Sequence, residues 1–258
     1  MIEAFGGDRW WPLNSQVWVL GTDPDAVLEV LDQHGLGVRK GYPSLADAVE
    51  ALAPFPFARR DVDFVVGTAD GSSAVFASAA PSGGALERFS RHAQLRLSCD
   101  SVAASWTPEH RAKSAGVGFD HLRFAALPSD PSLPPGRKTD QLTVQVSDQG
   151  RRWSFLRIPP GPTFPAERAY EEPEHYAAKR TAERLPLDLL RRYLAAAGIP
   201  VDDASYLTGP VLTVTGARRP TAELRWSTMD ELRATAGYPA EGIPTDLRAR
   251  PALDATRG

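Results

Sequence analysis

The chain has 258 residues, a formal net charge of −3, 42% hydrophobic residues and 24% charged residues. This composition is typical of a folded globular protein and argues against long disordered regions. The small net negative charge removes the usual electrostatic basis for binding nucleic acid or an acidic membrane surface. We therefore expect a globular protein whose partner is neither nucleic acid nor a membrane.

Cysteine content and the amino terminus bear on the compartment. Cys99 is the single cysteine, so no internal disulfide can form. Residues 1–8 lack the basic and apolar regions of a signal peptide, and no apolar run approaches the ~20 residues that a membrane-spanning helix needs. The 29 basic residues include only four lysines, a bias typical of high-GC bacterial genomes. The sequence predicts a cytoplasmic protein of bacterial type.

The amino-terminal region predicts a strand followed by two helices. Val17–Leu20 is an apolar run with strand character. A capping oxygen at Thr22 or Asp23, followed by apolar residues at helical spacing, indicates a helix. A second helix is expected to begin at Ser44, because Asp47 lies three residues later in the pattern of a capping box.

Two strand-like runs separated by a turn precede a helical pattern three times along the chain. This order favours an α+β fold, with a mainly antiparallel sheet built from β-hairpins and helices packed on one face. Pro186 splits the helical region that follows the second pair, so we expect two helices there. The three pairs of runs are residues 62–68 with 74–77, 142–146 with 153–158, and 211–215 with 222–226.

Further segments complete the predicted organisation. Strand-like residues occur at 95–106 and 117–127, and prolines are concentrated just after them. We divide the chain into an amino-terminal lobe, a proline-rich hinge, a carboxyl-terminal lobe and a poorly ordered tail, with a surface loop inside one domain as the alternative to the hinge. These four segments are residues 1–127, 128–138, 139–239 and 240–258.

No complete catalytic or metal-binding motif is present in the sequence. The glycine pairs complete neither a dinucleotide-binding fingerprint nor a P-loop, and no serine elbow or zinc spacing occurs. We therefore predict no metal and no cofactor. Cys99 is interpreted as a small buried hydrophobic residue of a strand, with a Cys–His pair as the alternative.

Aromatic residues close to proline are the least ordinary feature of the chain. Aromatic side chains in loops can serve as rigid anchors in a protein interface, because they lose little entropy on binding. The alternative is that they cover the open ends of the hydrophobic core. The candidate binding residues are Trp10, Trp11, Phe55, Phe57 and Trp153.

We interpret the chain as a non-enzymatic protein-binding factor of immunity, adaptor or accessory type. This interpretation depends on the well-patterned globular sequence and on the lack of a catalytic signature. A hydrolase or transferase with an active site built from loops is the first alternative, and a structural subunit of a larger assembly is the second. An α+β architecture alone does not separate these classes.

Overall fold

A computed structural model of the protein describes fifteen stretches of the chain. The first predicted interface residues, Trp10 and Trp11, lie outside them, as does the proposed tail. The described residues are 16–33, 36–45, 47–48, 55–56, 62–77, 92–107, 111–112, 117–118, 121–127, 142–148, 153–159, 170–200, 203, 205–216 and 226–227.

Thirteen strands and four helical elements with defined bounds are found in these stretches. The strands are β1 Gln16–Leu20, β2 Leu36–Tyr42, β3 Phe55–Pro56, β4 Val62–Thr68, β5 Ser73–Ala77, β6 Ser101–Thr107, β7 Arg111–Ala112, β8 Val117–Gly118, β9 His121–Leu127, β10 Leu142–Asp148, β11 Trp153–Ile158, β12 Leu207–Gly216 and β13 Trp226–Ser227. The helical elements are α1 Pro24–Gln33, a first 3-10 helix Pro173–Ala177, a second 3-10 helix Thr181–Arg184, and α2 Leu187–Ala196.

Nine of the strands form one sheet in the order β11-β10-β9-β6-β1-β5-β4-β12-β2. Every neighbouring pair in this sheet is antiparallel. The predicted α+β class with a mainly antiparallel sheet is therefore confirmed. Strands β11 and β2 lie at its two edges.

The central strands are buried on both faces of this sheet. Val17 of β1 belongs to the hydrophobic cluster that contains Tyr193 of α2, whereas its neighbour Trp18 belongs to the cluster that contains Val27 of α1. Successive residues of a strand point to opposite faces, so α1 and α2 cover opposite sides of the sheet. The helices expected on one face are therefore divided between the two faces. The central strands contain consecutive apolar residues, so both faces of the sheet are apolar and both need to be buried.

The first two predicted hairpins are present as β4 with β5 and β10 with β11. Gly71 has the positive φ of +83° that the turn between β4 and β5 requires. The third predicted hairpin is wrong. Strand β12 pairs with β2 and β4, while Trp226, at the end of the expected return strand, pairs with β3. Both sides of β12 are thus paired with strands that are distant in the sequence, so the nearby segment cannot pair with it.

The predicted helices are confirmed in part. Asp23 Oδ1 accepts a hydrogen bond from Ala26 N at the start of α1. Ser44 Oγ accepts from Asp47 N, as expected for a capping residue, and donates to Asp47 Oδ2. After Pro186 the chain forms α2. Before Pro186 it forms two short 3-10 helices rather than one longer helix.

The strand-like run 95–106 is divided between two kinds of structure. Residues 92–97 are helical, with Ala93 and Leu97 one turn apart on the cluster beneath α1, and the strand begins only at Ser101. The predicted hinge at 128–138 lies outside the described residues, so the division into lobes stays a prediction. No helix in the described part of the chain is long and apolar enough to cross a membrane.

Candidate functional site

Strand β11 forms one edge of the nine-stranded sheet. It pairs with β10 without interruption, from Thr143 opposite Ile158 to Asp148 opposite Trp153. In the sheet order β11 is terminal, and within the described stretches no other strand pairs with it. A terminal strand carries a row of backbone N–H and C=O groups that can pair with another chain. We call β11 and its unpaired side the β11 edge.

The side chains of β11 divide between the core and the solvent. Trp153 and Phe155 are partly buried and pack against the hydrophobic cluster beneath α2. Leu156 and Ile158 alternate with them and are exposed by 47% and 37%. Among the side chains that the structure describes, these two are the only large hydrophobic ones that are exposed. The β11 edge therefore presents apolar surface beside its backbone groups.

The single charged residue of β11 is neutralised within the protein. Arg157 donates from Nε and Nη2 to the two carboxylate oxygens of Glu171, at 2.7 and 2.6 Å. The Glu171 side chain is only 10% exposed. These hydrogen bonds from the guanidinium to Glu171 raise the pKa of Arg157, so the guanidinium stays charged. The β11 edge consequently carries no net charge.

A chain of hydroxyl hydrogen bonds attaches the segment around Glu171 to α2. Tyr176 OH donates to Glu171 Oε1 at 3.1 Å and lies 2.8 Å from Tyr193 OH, which accepts from Glu172 N at 2.9 Å. Because Tyr176 uses its one hydrogen toward Glu171, Tyr193 donates between the two hydroxyls. Burial raises the pKa of both tyrosines, most strongly that of Tyr176. This network holds the carboxylate in place beneath Arg157.

The Phe155 ring contacts one aromatic ring and one cationic group. Its ring lies 5.2 Å from the ring of Tyr176, at an angle of 42°. On the second 3-10 helix, the guanidinium carbon of Arg184 lies 5.4 Å from the Phe155 ring centroid. Arg184 also donates from Nε to the carbonyl of Ala178 at 3.0 Å. The side of β11 that faces α2 is therefore aromatic, with a cation next to it.

A cluster of Glu172, Glu174 and His175 has the side-chain types of a cation site, with donor atoms within 4.8 Å of one another. Arg192 already donates to both Glu172 oxygens, at 2.9 and 2.8 Å. These hydrogen bonds lower the pKa of Glu172. A metal ion would have to displace the guanidinium, so we assign no metal role to this cluster.

A cleft of about 390 Å³ opens at the end of the sheet near the carboxyl terminus of α2. Asp70, Asp100 and Tyr170 are among its lining residues. Burial alone would raise the pKa of Asp70, but hydrogen bonds from Thr68 and Ser72 outweigh it and hold this pKa below its usual value. The Asp70 carboxylate is therefore ionised, and it shapes the turn between β4 and β5.

Cys99 lies just before β6 rather than within a strand, and it is a buried free thiol. Burial, helped by the negative charge of Asp100, raises the pKa of Cys99 from 9.0 to about 11. A thiol with this pKa is almost entirely protonated near neutral pH and is a poor nucleophile. This finding supports the interpretation of Cys99 as a small hydrophobic residue.

The predicted aromatic anchors lie in different parts of the structure. Trp153 begins β11 and is partly buried against the cluster beneath α2, and its role as an anchor stays a prediction. Phe55 belongs to β3, whose backbone pairs with β13, and Phe57 lies outside the described residues. Sequence reasoning missed Leu156 and Ile158, because Phe155 and Leu156 are consecutive apolar residues and the sequence does not show which of them faces the core. It also missed the ion pair with Glu171, since pairing across a fold leaves no local pattern.

Searches against protein-family models, curated proteins and solved structures find no match for this chain.

Proposed function

We propose that the protein is a non-enzymatic protein-binding factor, of immunity, adaptor or accessory type, that receives an extended segment of its partner along the β11 edge. Strand addition to an open sheet edge is a common way to bind a protein, because the backbone supplies affinity and the alternate side chains supply specificity. The observation that carries the proposal is the exposed pair Leu156 and Ile158 on an edge strand.

Three features of β11 favour a bound strand over an empty edge. Natural edge strands are usually protected by charge, proline or a β-bulge. The strand has neither proline nor a register shift, and Arg157, its one charge, is paired with Glu171. Exposed apolar residues on such an edge are a liability unless a partner covers them. The cost of leaving them exposed supports a role in binding.

We also propose a cytoplasmic location in a bacterium. The buried, unpaired thiol of Cys99 suits a reducing compartment, although it does not require one. A protein-binding factor in that compartment would meet its partner without export.

Affinity capture from the native host tests the proposed function. The bait is the full chain, compared with Leu156→Lys and with the control Ala195→Lys, which adds the same charge at an exposed position of α2. We expect a stoichiometric partner with the wild type and the control, reduced at least about tenfold with Leu156→Lys, since a lysine there buries a charge in the interface. Equal capture by all three proteins, or no partner at all, would contradict the proposal.

A hydrolase or transferase is the second candidate function, and the cleft is the observation that favours it. Its volume falls within the range of small-molecule sites, and Asp70 and Asp100 bring carboxylates from two separate turns. A panel of esters, phosphoesters, peptides and nucleotides tests this alternative. Turnover that is lost in Asp100→Asn, but kept in the control Glu29→Gln on the exposed face of α1, would establish it over the binding role.

A structural subunit of a larger assembly is the remaining alternative. Two copies could in principle pair through their β11 edges, since antiparallel strands are self-complementary. Analytical ultracentrifugation over a wide concentration range measures this directly. We expect a monomer at micromolar concentration, and a dimer abolished by Leu156→Lys would favour the assembly role.

A further inference from the structure

Arg184 lies next to Phe155 of β11 and differs from the neighbouring arginines in its charge environment. Arg157 contacts Glu171, Arg180 contacts Glu183, and Arg192 contacts Glu172. In the described part of the chain, the contacts of Arg184 are instead the Phe155 ring and the carbonyl of Ala178. Neither of these groups neutralises its charge.

The Arg184 guanidinium has donors that these contacts do not use. It has five N–H donors, and the bond to Ala178 uses only the one on Nε. The residue is half-buried, which weakens screening by water and increases the gain from an anionic partner. A planar guanidinium held over an aromatic ring is preorganised to bind a carboxylate through two parallel hydrogen bonds.

A strand added to β11 would place one side chain next to this guanidinium. Adjacent strands lie about 4.8 Å apart, and residues directly opposite each other point to the same face. The residue opposite Phe155 would therefore lie on the face that carries Arg184, whose guanidinium is 5.4 Å from the Phe155 ring. An aspartate or glutamate at this position would carry its carboxylate on the same face of the sheet as the guanidinium.

We infer that the partner strand carries an aspartate or glutamate opposite Phe155, which pairs with Arg184, and apolar residues on the other face, next to Leu156 and Ile158. This inference rests on the proposed function and adds the chemistry of the partner to it. The protein would select an extended segment in which one acidic residue interrupts an otherwise uncharged, β-prone sequence. Charge complementarity of this kind sets both the register and the choice of partner.

Two synthetic peptides test the inference. Each has nine residues, with threonine at the odd positions and valine at the even positions, so that valine lies on the face opposite the central residue. The termini are blocked, a fluorescent label is attached, and the central residue is glutamate in one peptide and glutamine in the other. Fluorescence anisotropy at low salt gives the dissociation constant of each peptide. For the wild-type chain we expect the glutamate peptide to bind about tenfold more tightly, as for a charge-assisted hydrogen-bonded pair.

Protein variants assign this preference to Arg184. We expect the preference for glutamate to vanish in Arg184→Gln and to remain in the control Arg180→Gln, because Arg180 is exposed and already contacts Glu183. Arg184→Lys keeps the charge but loses the bidentate geometry, so it should keep part of the preference. This second variant preserves the test if Arg184→Gln does not fold.

The failures of the two proposals are distinguishable. If both peptides bind equally to the wild type and both are lost with Leu156→Lys, strand addition stands and the role of Arg184 is wrong. The same conclusion follows if Arg184→Gln keeps the full preference. If neither peptide binds, or if Leu156→Lys binds as the wild type does, the β11 edge is not a strand-binding site, and both proposals fall.

Discussion

The two edges of the nine-stranded sheet are built differently. Strand β2, at one edge, contains Arg39 and Lys40 between two glycines, and its pairing with β12 has a register shift at Thr215 and Gly216. Strand β11, at the other edge, pairs in continuous register and has one charge that an internal carboxylate neutralises. Charges and irregular register protect an edge from unwanted pairing. The contrast indicates that one edge is protected and the other is kept available.

The largest expected effect comes from removing the carboxylate that neutralises the β11 edge. Glu171→Gln leaves the Arg157 guanidinium without its partner and weakens the acceptor for Tyr176. We expect the free energy of unfolding to fall by about 2 kcal/mol, because the hydrogen bonds from Arg157 and Tyr176 lose a charged acceptor that is itself only 10% exposed. Urea denaturation measures this loss, and Glu174→Gln on the exposed surface is the control. Equal stabilities for the two variants would mean that the pair is only a surface contact.

A smaller loss is expected from the hydroxyl network behind that edge. Tyr193→Phe removes the acceptor of Glu172 N and the donor to Tyr176. We expect a destabilisation of about 1 to 2 kcal/mol, since a partly buried N–H loses its partner. A double-mutant cycle with Tyr176→Phe should give a non-additive result, because the two hydroxyls share one hydrogen bond. Additive losses would show that the two hydroxyls act separately.

The part of the sheet next to α1 should respond to alkaline pH through Cys99. Its folded pKa of about 11 exceeds the ordinary value of 9.0, so the unfolded chain releases the thiol proton first as pH rises. Stability from the protonated thiol is therefore complete below pH 9 and is lost progressively between pH 9 and 11. Urea denaturation from pH 8 to 11 should show this decrease for the wild type and a shallower one for Cys99→Ala. If the free energy of unfolding fell equally with pH in both proteins, Cys99 would not be the cause of the decrease.

How far the sequence predicts this molecule depends on the range of the interactions. The cap at Ser44 and the turn at Asp70-Gly71 are local, and both were predictable from residue type and spacing. The pairing of β12 with β2 and β4 joins distant segments, so no nearby pattern encodes it. The candidate site follows the same division. The strand character of β11 is visible in the sequence, whereas its edge position and the ion pair with Glu171 depend on the tertiary fold.

The smallest stability effect is expected at the exposed residues themselves. Leu156→Lys should change the free energy of unfolding by no more than about 0.5 kcal/mol, because an exposed side chain contributes little to the core. It should also reduce self-association at high concentration, measured by light scattering.

Replacing Lys40 by valine at the opposite edge should increase self-association, measured in the same way. If both variants changed self-association in the same direction, the proposal that one edge is protected and the other available would be wrong.

Hydrogen–deuterium exchange with the captured partner tests the central claim most directly. If the β11 edge receives a strand, partner binding should slow the exchange of backbone amides in Trp153–Ile158 and leave those of Leu36–Tyr42 unchanged. Slower exchange at β2, or unchanged exchange at β11 in a saturated complex, would contradict the account.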